Sequence, residues 1–314
     1  MICYSSRQNW CTTPPSTIIR LDMLEKHPYL TGSVMMVCST ICFSIMAGLV
    51  RSIPHIDSYA IAFFRFAIGL ALLGSLALVK KIEFTFTHSA LLFLRGFFGG
   101  VAVLFFYLAI NTIGISKGTV ILYSSPIFAT IAGIIFLREK VSIQKWLIIF
   151  AAFFGIYLIA TSDGQSLLDI GKYDLLAALG ALSAGVAIVL VKKLRATESS
   201  HSIFFAQSVV GFWLVFIPAN VTTGSIGMSA GFVLLAIGIT ASAGQLSMTY
   251  AFRHRPGSTG SLIGMLVPVF NIAIGVIVFG EAISKRGIAG IVIVLVSCSL
   301  VLAGKRDAYP SVTA

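Results

Sequence analysis

Charge is what this chain has least of. Only 11% of its 314 residues are Asp, Glu, Lys or Arg, against roughly 25% in a soluble globular chain. That is too little to coat a water-facing surface, and 57% of the residues are hydrophobic. A water-soluble enzyme and a disordered chain are both excluded. Acidic residues are the scarcer sign, 11 against 22 basic ones, for a net charge of +11. In a soluble protein that balance would suggest nucleic acid. In a bilayer protein it follows from the bias of cytoplasmic loops toward Lys and Arg, so no nucleic-acid partner is expected. The five cysteines make no disulfide framework. Cys3 and Cys11 lie in the N-terminal tail, and Cys38, Cys42 and Cys298 lie in apolar runs where small side chains pack. The five histidines show no H-x3-H pair and no cysteine at zinc spacing, so no metal site is expected. No phosphate-cradling glycine loop occurs, which argues against ATP drive by this chain. No Asp or Glu lies deep in an apolar run, and no His does either. An intramembrane hydrolase or transferase therefore lacks its constellation, and neither an enzyme nor a cofactor is expected. Gly114–Gly118 matches G-x-S-x-G, but it joins two apolar runs where a hydrolase elbow needs a strand and a helix. The sequon Asn220-Val-Thr222 matters only in a glycosylating secretory pathway.

What is present is apolar length. A spanning helix needs about 20 mostly apolar residues, and ten such runs occur: 29–50, 57–79, 88–111, 117–137, 145–161, 173–191, 202–219, 229–252, 258–279 and 285–303. The breaks are short and carry charge, Gly or Pro, as in Arg51-Ser-Ile-Pro-His and Arg253-His-Arg-Pro-Gly. Residues 1–28 hold Pro14-Pro15 and no apolar run, and read as a disordered tail without a secretory signal; Met23 is an alternative start. With the N-terminus inside, the inner segments carry fifteen Lys and Arg, among them Lys80, Lys81, Lys192 and Lys193. The outer segments carry five: Arg51, Lys117, Lys172, Lys285 and Arg286. Both termini are therefore expected in the cytoplasm of a multi-pass plasma-membrane protein, the inner membrane of a bacterial cell.

One offset of 142 residues aligns the two halves without gaps. Ala109 falls on Ala251, Ser116 on Ser258, Gly118 on Gly260, Pro126 on Pro268, Phe128 on Phe270, Gly133 on Gly275 and Glu139 on Glu281. Five spans per half is odd, so the second half must enter the membrane upside down. The expected fold is an all-α integral membrane protein of ten transmembrane helices in two inverted five-helix repeats, residues 29–161 and 173–303. A linker over 162–172 joins them on the outside, and tails cover 1–28 and 304–314. Inverted repeats supply two bundles that can exchange inward-open and outward-open shapes around a midplane site.

Arg65 and Arg95 are the sharpest individual features. At 1.5 Å per residue each lies roughly 10–12 Å inside its run, where an arginine costs at least about 2.5–3.5 kcal/mol. Each should face a cavity or a partner. One reading is attraction of an anionic or zwitterionic solute; the other is packing against helix-end carbonyls or snorkelling, which suits Arg95 better. Pro126 and Pro268, mid-run in the paired fourth and ninth spans, are expected to kink their helices and act as hinges or line the pocket. Tyr123 and Asn271 lie beside them. Tyr107, Gln245 and Tyr250 complete the candidate solute-binding set, while Ser39, Gln207 and Trp213 read as interhelical contacts. Gly96-x3-Gly100 and Gly260-x3-Gly264 read as packing sites. Glu139 and Glu281 read as local caps or ion-pair partners, with gating or proton coupling the lesser alternative.

The segments Phe-Phe-Tyr-Leu-Ala (105–109), Ser-Pro-Ile-Phe (125–128) and Gly-Ile-Ile-Phe-Leu-Arg-Glu-Lys (133–140) resemble the first repeat of the EamA-type family of the drug/metabolite transporter superfamily. Val-Pro-Val-Phe (267–270) and Gly-Val-Ile-Val-Phe-Gly-Glu (275–281) resemble its second. The resemblance covers about residues 30–303 and implies ten helices, two inverted repeats and secondary transport of small organic solutes. Together these observations predict alternating access around a midplane pocket lined mainly by spans 2, 3, 4, 8 and 9. The deep cations favour an amino acid or other carboxylate. A vitamin or nucleoside-type cofactor, of the flavin or S-adenosylmethionine class, is the alternative cargo, and a non-transport scaffold the alternative class. The expected partners are a small solute and the bilayer, with a homodimer compatible and the oligomeric state open.

Overall fold

A polypeptide in hydrocarbon must satisfy its backbone hydrogen bonds within itself, and apolar runs therefore become helices. The computed structural model describes residues 28–113, 115–161, 171–222, 226–280 and 282–303. Twelve helices follow in order: α1 (Pro28–Arg51), α2 (Ser58–Leu78), α3 (Ser89–Ile113), α4 (Ile115–Leu122), α5 (Ser125–Leu137), α6 (Ile143–Ala160), α7 (Lys172–Leu194), α8 (Ser200–Thr222), α9 (Met228–His254), α10 (Gly257–Gly264), α11 (Leu266–Phe279) and α12 (Lys285–Ala303). Among the described residues there is no strand. Ten segments among the described residues are long and apolar enough to span a bilayer, with α4–α5 and α10–α11 each forming one span. Of the tails and linker expected at 1–28, 162–172 and 304–314, only Pro28, Gly171 and Lys172 are described, with Pro28 opening α1 and Lys172 opening α7; the rest lies outside the described residues.

Local chemistry sets the helix ends. The Asp57 carboxylate accepts the Tyr59 N–H at 2.7 Å, and Ser142 Oγ accepts the Lys145 N–H at 3.3 Å. The Gly171 N–H donates to Asp174 Oδ2 at 2.6 Å. α5 ends at Arg138 (φ +53°) and α11 at Gly280 (φ +67°), repeat-equivalent left-handed caps.

The prolines correct the sequence expectation. Pro126 and Pro268 do not kink continuous helices. α4 stops at Leu122, Tyr123 and Ser124 form a turn, and Pro126 sits in the first turn of α5. Met265 likewise separates α10 from α11, with Pro268 in the first turn of α11. First-turn N–H groups have no intrahelical acceptor, so a proline there forfeits nothing, and the span is broken rather than bent.

Packing recurs when the halves are exchanged. α3 packs on α7 as α9 packs on α1; α5 packs on α7 as α11 packs on α1; α3 packs on α8 as α9 packs on α2. α6 meets α12 and α2 meets α8, each pair mapping onto itself. Backbones touch at α6–α12, where a Cβ on Gly290 would lie 2.5 Å from the Gly155 carbonyl oxygen. Gly96 lets α3 approach α8, as a Cβ there would lie 2.6 Å from the Ala206 carbonyl oxygen. Toward the end that holds the start of α1, Met36, Leu194, Ile203, Phe252, Leu262 and Ile263 form a dense core. A second core joins Ile61, Phe66, Val215, Leu234 and Ile237. Outward faces carry Phe93, Ile135, Trp213, Ile217 and Ile277, an apolar surface fitted to lipid.

Candidate functional site

A cavity of about 810 Å³ opens between the halves. Arg51, Ile53, Pro54, Ile56 and Ser58 of the α1–α2 connection lie around it, so it occupies the end of the molecule opposite the first residues of α1. Its walls come from α1, α2, α3, α4, α7 and α11, together with the turn after α4 and the first residue of α5. Span 8 (α9), expected to line the pocket, contributes no wall; α1 and α7 do so instead.

The breaks in spans 4 and 9 explain the shape. Thr119, Tyr123 and Ser125 face the cavity from one broken span; Val267, Asn271 and Gly275 face it from the other. At the opposite end the two spans meet, α5 against α10. They are joined there, not spread.

Four of the seven candidate binding residues come together in this cavity: Arg65, Tyr107, Tyr123 and Asn271. Arg65 is 8% exposed, and its guanidinium lies 5.8 Å from the Phe43 ring centroid and 6.0 Å from that of Phe66. The Tyr107 hydroxyl and Asn271 Oδ1 are buried without a hydrogen-bond partner among the described residues. Orphaned polar atoms in a low-dielectric wall are costly unless a solute or water meets them. The lining includes two arginines and no acidic residue. The hinge candidates Pro126 and Pro268 stand one residue behind the wall residues Ser125 and Val267.

The other three candidates lie elsewhere. Arg95 is 2% exposed between α3 and α8, where Nη2 donates to Gln207 Oε1 at 2.9 Å. It faces an interhelical amide, not the cavity. Gln245 is buried on α9, away from the lining, and Tyr250 is 40% exposed beside the His254 ring. Residues that sequence reasoning passed over include Arg51, whose guanidinium sits 4.7 Å from the Phe279 ring centroid at the mouth. Its signal was available, because cations are sparse on that side of the chain. Phe43, Phe106 and Thr119 carried no signal, as aromatic and hydroxyl side chains occur all along the spans.

Glu139 overturns its expected local pairing. Its Oε1 accepts the Gly257 N–H at 3.0 Å and its Oε2 accepts the Ser258 hydroxyl at 3.1 Å, across the two halves. Glu281 lies outside the described residues. Among the described residues no cluster of His, Cys, Asp or Glu could hold a metal.

Among the described residues, ten candidate spans surround a largely apolar cavity with a few polar groups in its wall, the architecture of a multi-pass membrane protein with room for a small solute. The chain belongs to the EamA-like transporter family, whose model matches residues 30–161 and again 171–303. It is 26% identical over 281 residues to the pseudopaline exporter CntI of Pseudomonas aeruginosa PAO1, covering 88% of this chain and 96% of that one. It is 23% identical over 290 residues to an S-adenosylmethionine uptake transporter of Rickettsia felis, covering 89% and 95%. Mouse solute carrier family 35 member G1 is 23% identical over 282 residues, covering 85% and 76%. A solved crystal structure shares the fold at TM-score 0.74 with 13% identity, covering 87% of this chain and 98% of that one. Family and relatives are transporters, not enzymes.

Proposed function

We propose that this chain is a secondary transporter that moves a small organic carboxylate, an amino acid in the favoured case, across the plasma membrane by alternating access. The observation that carries the substrate class is Arg65, a guanidinium deep in a cavity with no acidic residue in its wall. Desolvated at its depth, such a cation binds an anionic group through charge-assisted hydrogen bonds. Tyr107, Tyr123 and Asn271 supply further polar contacts, and Arg51 at the mouth draws anions inward. Loop charge supports cytoplasmic termini, so the cavity opens to the outside in this conformation. Repeats 29–161 and 173–303, joined by 162–172, are the two units that rock.

A nucleoside-type or flavin cargo is a second reading. Phe43, Phe106, Tyr123 and Phe279 in the wall offer ring faces, and several relatives are named as S-adenosylmethionine uptake transporters. Uptake into proteoliposomes decides between them. Radiolabelled amino and dicarboxylic acids should move, and Arg65→Gln should raise the concentration needed for half-maximal uptake about 10- to 100-fold. Movement of permanent cations alone would defeat the proposal. Transport of a ring-bearing cofactor that survives Arg65→Gln would favour the second reading.

A further inference from the structure

We infer that Glu139 is a latch that holds shut the end of the molecule opposite the cavity. Three observations meet at this carboxylate. First, it cross-links the broken spans: Glu139 follows α5, while Gly257 and Ser258 begin α10 in the other half, and the Lys192 ammonium of α7 lies within electrostatic reach of the same carboxylate. Both of its oxygens are engaged, one by a backbone N–H at a helix start and one by a hydroxyl, the geometry of an N-cap supplied from a distance. Second, the chain is shaped to present it. Arg138 turns left-handed, the Glu139 N–H returns to the Gly133 carbonyl oxygen at 3.1 Å, and the side chain folds over Gly133. A Cβ on Gly133 would lie 3.2 Å from Oε2, so a larger residue there would crowd the carboxylate. Third, the two spans it joins are the ones that diverge around the cavity at their other ends, where Thr119 and Tyr123 face Asn271 and Gly275.

Opening this end requires α5 and α10 to separate, and separation breaks both Glu139 bonds. The carboxylate thus sets the balance between the conformation seen here and its opposite. Ser261, 6% exposed on α10, should become reachable only when the latch releases. The inference rests on the carrier reading, but not on any cargo.

The test uses the full-length chain in membranes, with native cysteines replaced and Ser261→Cys as reporter for a membrane-impermeant maleimide. Glu139→Ala should raise labelling from the α10 side well over tenfold, because it removes both carboxylate bonds and the loss of even one charge-assisted bond shifts the populations by about tenfold. Ala47→Cys, in the cavity, should label more slowly from the other side in the same background. Ser258→Ala removes one bond without touching α5 and should give a smaller rise in the same direction. Glu139→Gln keeps an acceptor for the Gly257 N–H and should fall between wild type and Glu139→Ala. If Glu139→Ala does not fold, as judged by its melting transition, the Ser258→Ala and Glu139→Gln pair decides. Unchanged labelling at position 261 in these variants overturns the latch. Because labelling needs no solute, that result leaves the transport proposal to the vesicle assay.

Discussion

Arg65 and Arg95 show how one residue type at similar depth serves different ends. Among the described residues Arg65 lies near the Phe43 and Phe66 rings and faces the cavity; Arg95 meets Gln207 across α3–α8, with Gly99 leaving room for its guanidinium. Arg65→Gln is expected to weaken carboxylate binding about 10- to 100-fold, since a hydrogen bond to a charged group contributes about 1.5–3 kcal/mol. Its melting temperature should barely move; titration calorimetry and thermal shift in detergent together check this. Arg95→Leu should do the reverse: affinity held, and stability lowered by less than the roughly 1–3 kcal/mol cost of orphaning Gln207, because the buried Arg95 Nε and Nη1, which have no hydrogen-bond partner among the described residues, are removed with it. Adding Gln207→Leu should recover much of that loss, since replacing both partners by apolar groups removes the orphan. Depth alone marked both arginines in the sequence. It could not say which way each points, because these helices are apolar nearly all round and no stripe identifies an inner face. The same blindness misplaced Gln245 and Tyr250. Tyr123 and Asn271 were legible because they flank the repeated prolines.

At the scale of elements, span number and span ends were readable from hydropathy, capping residues and turn signals. The broken spans were not, because a proline within an apolar run looks the same whether it bends a helix or starts a new one. The distinction rests on the turn at Tyr123–Ser124 and its counterpart at Met265, which tertiary packing of α4, α5, α10 and α11 holds open. Pro126→Ala restores an N–H that could bond the Leu122 carbonyl and rejoin α4 to α5. Solute affinity should be nearly unchanged while the turnover rate drops, measured as initial uptake under saturating solute. The close contact of α6 with α12 gives a contrasting case. Gly290→Ala drives a methyl group against the Gly155 backbone, and overpacking of this kind costs about 1–3 kcal/mol. Melting temperature should fall, with transport per folded molecule retained.

For the whole molecule, an odd number of spans in each half leaves the two halves related by exchange, and the recurring helix pairs follow that exchange. On the proposed alternating-access reading, two nearly equal halves would encode two conformations, so the sequence alone does not reveal which one the chain adopts here. The structure breaks the tie at the polar contacts: Glu139 engages α10 at one end while the cavity occupies the other. The offset of 142 residues carries Gly133, Glu139 and Ser258 onto Gly275, Glu281 and Ser116. If the exchange is functional, removing each carboxylate must act with opposite sign. Glu139→Ala is expected to favour exposure at the α5–α10 end. Glu281→Ala is expected to favour the conformation described here, so Ala47→Cys labels faster from the cavity side and Ser261→Cys more slowly from the other. The double variant should return toward the wild-type ratio, because the two free-energy changes oppose each other in one equilibrium. Same-sign shifts from both substitutions would mean that the carboxylates stabilise the bundle generally, and that sequence symmetry does not extend to the switching of this carrier.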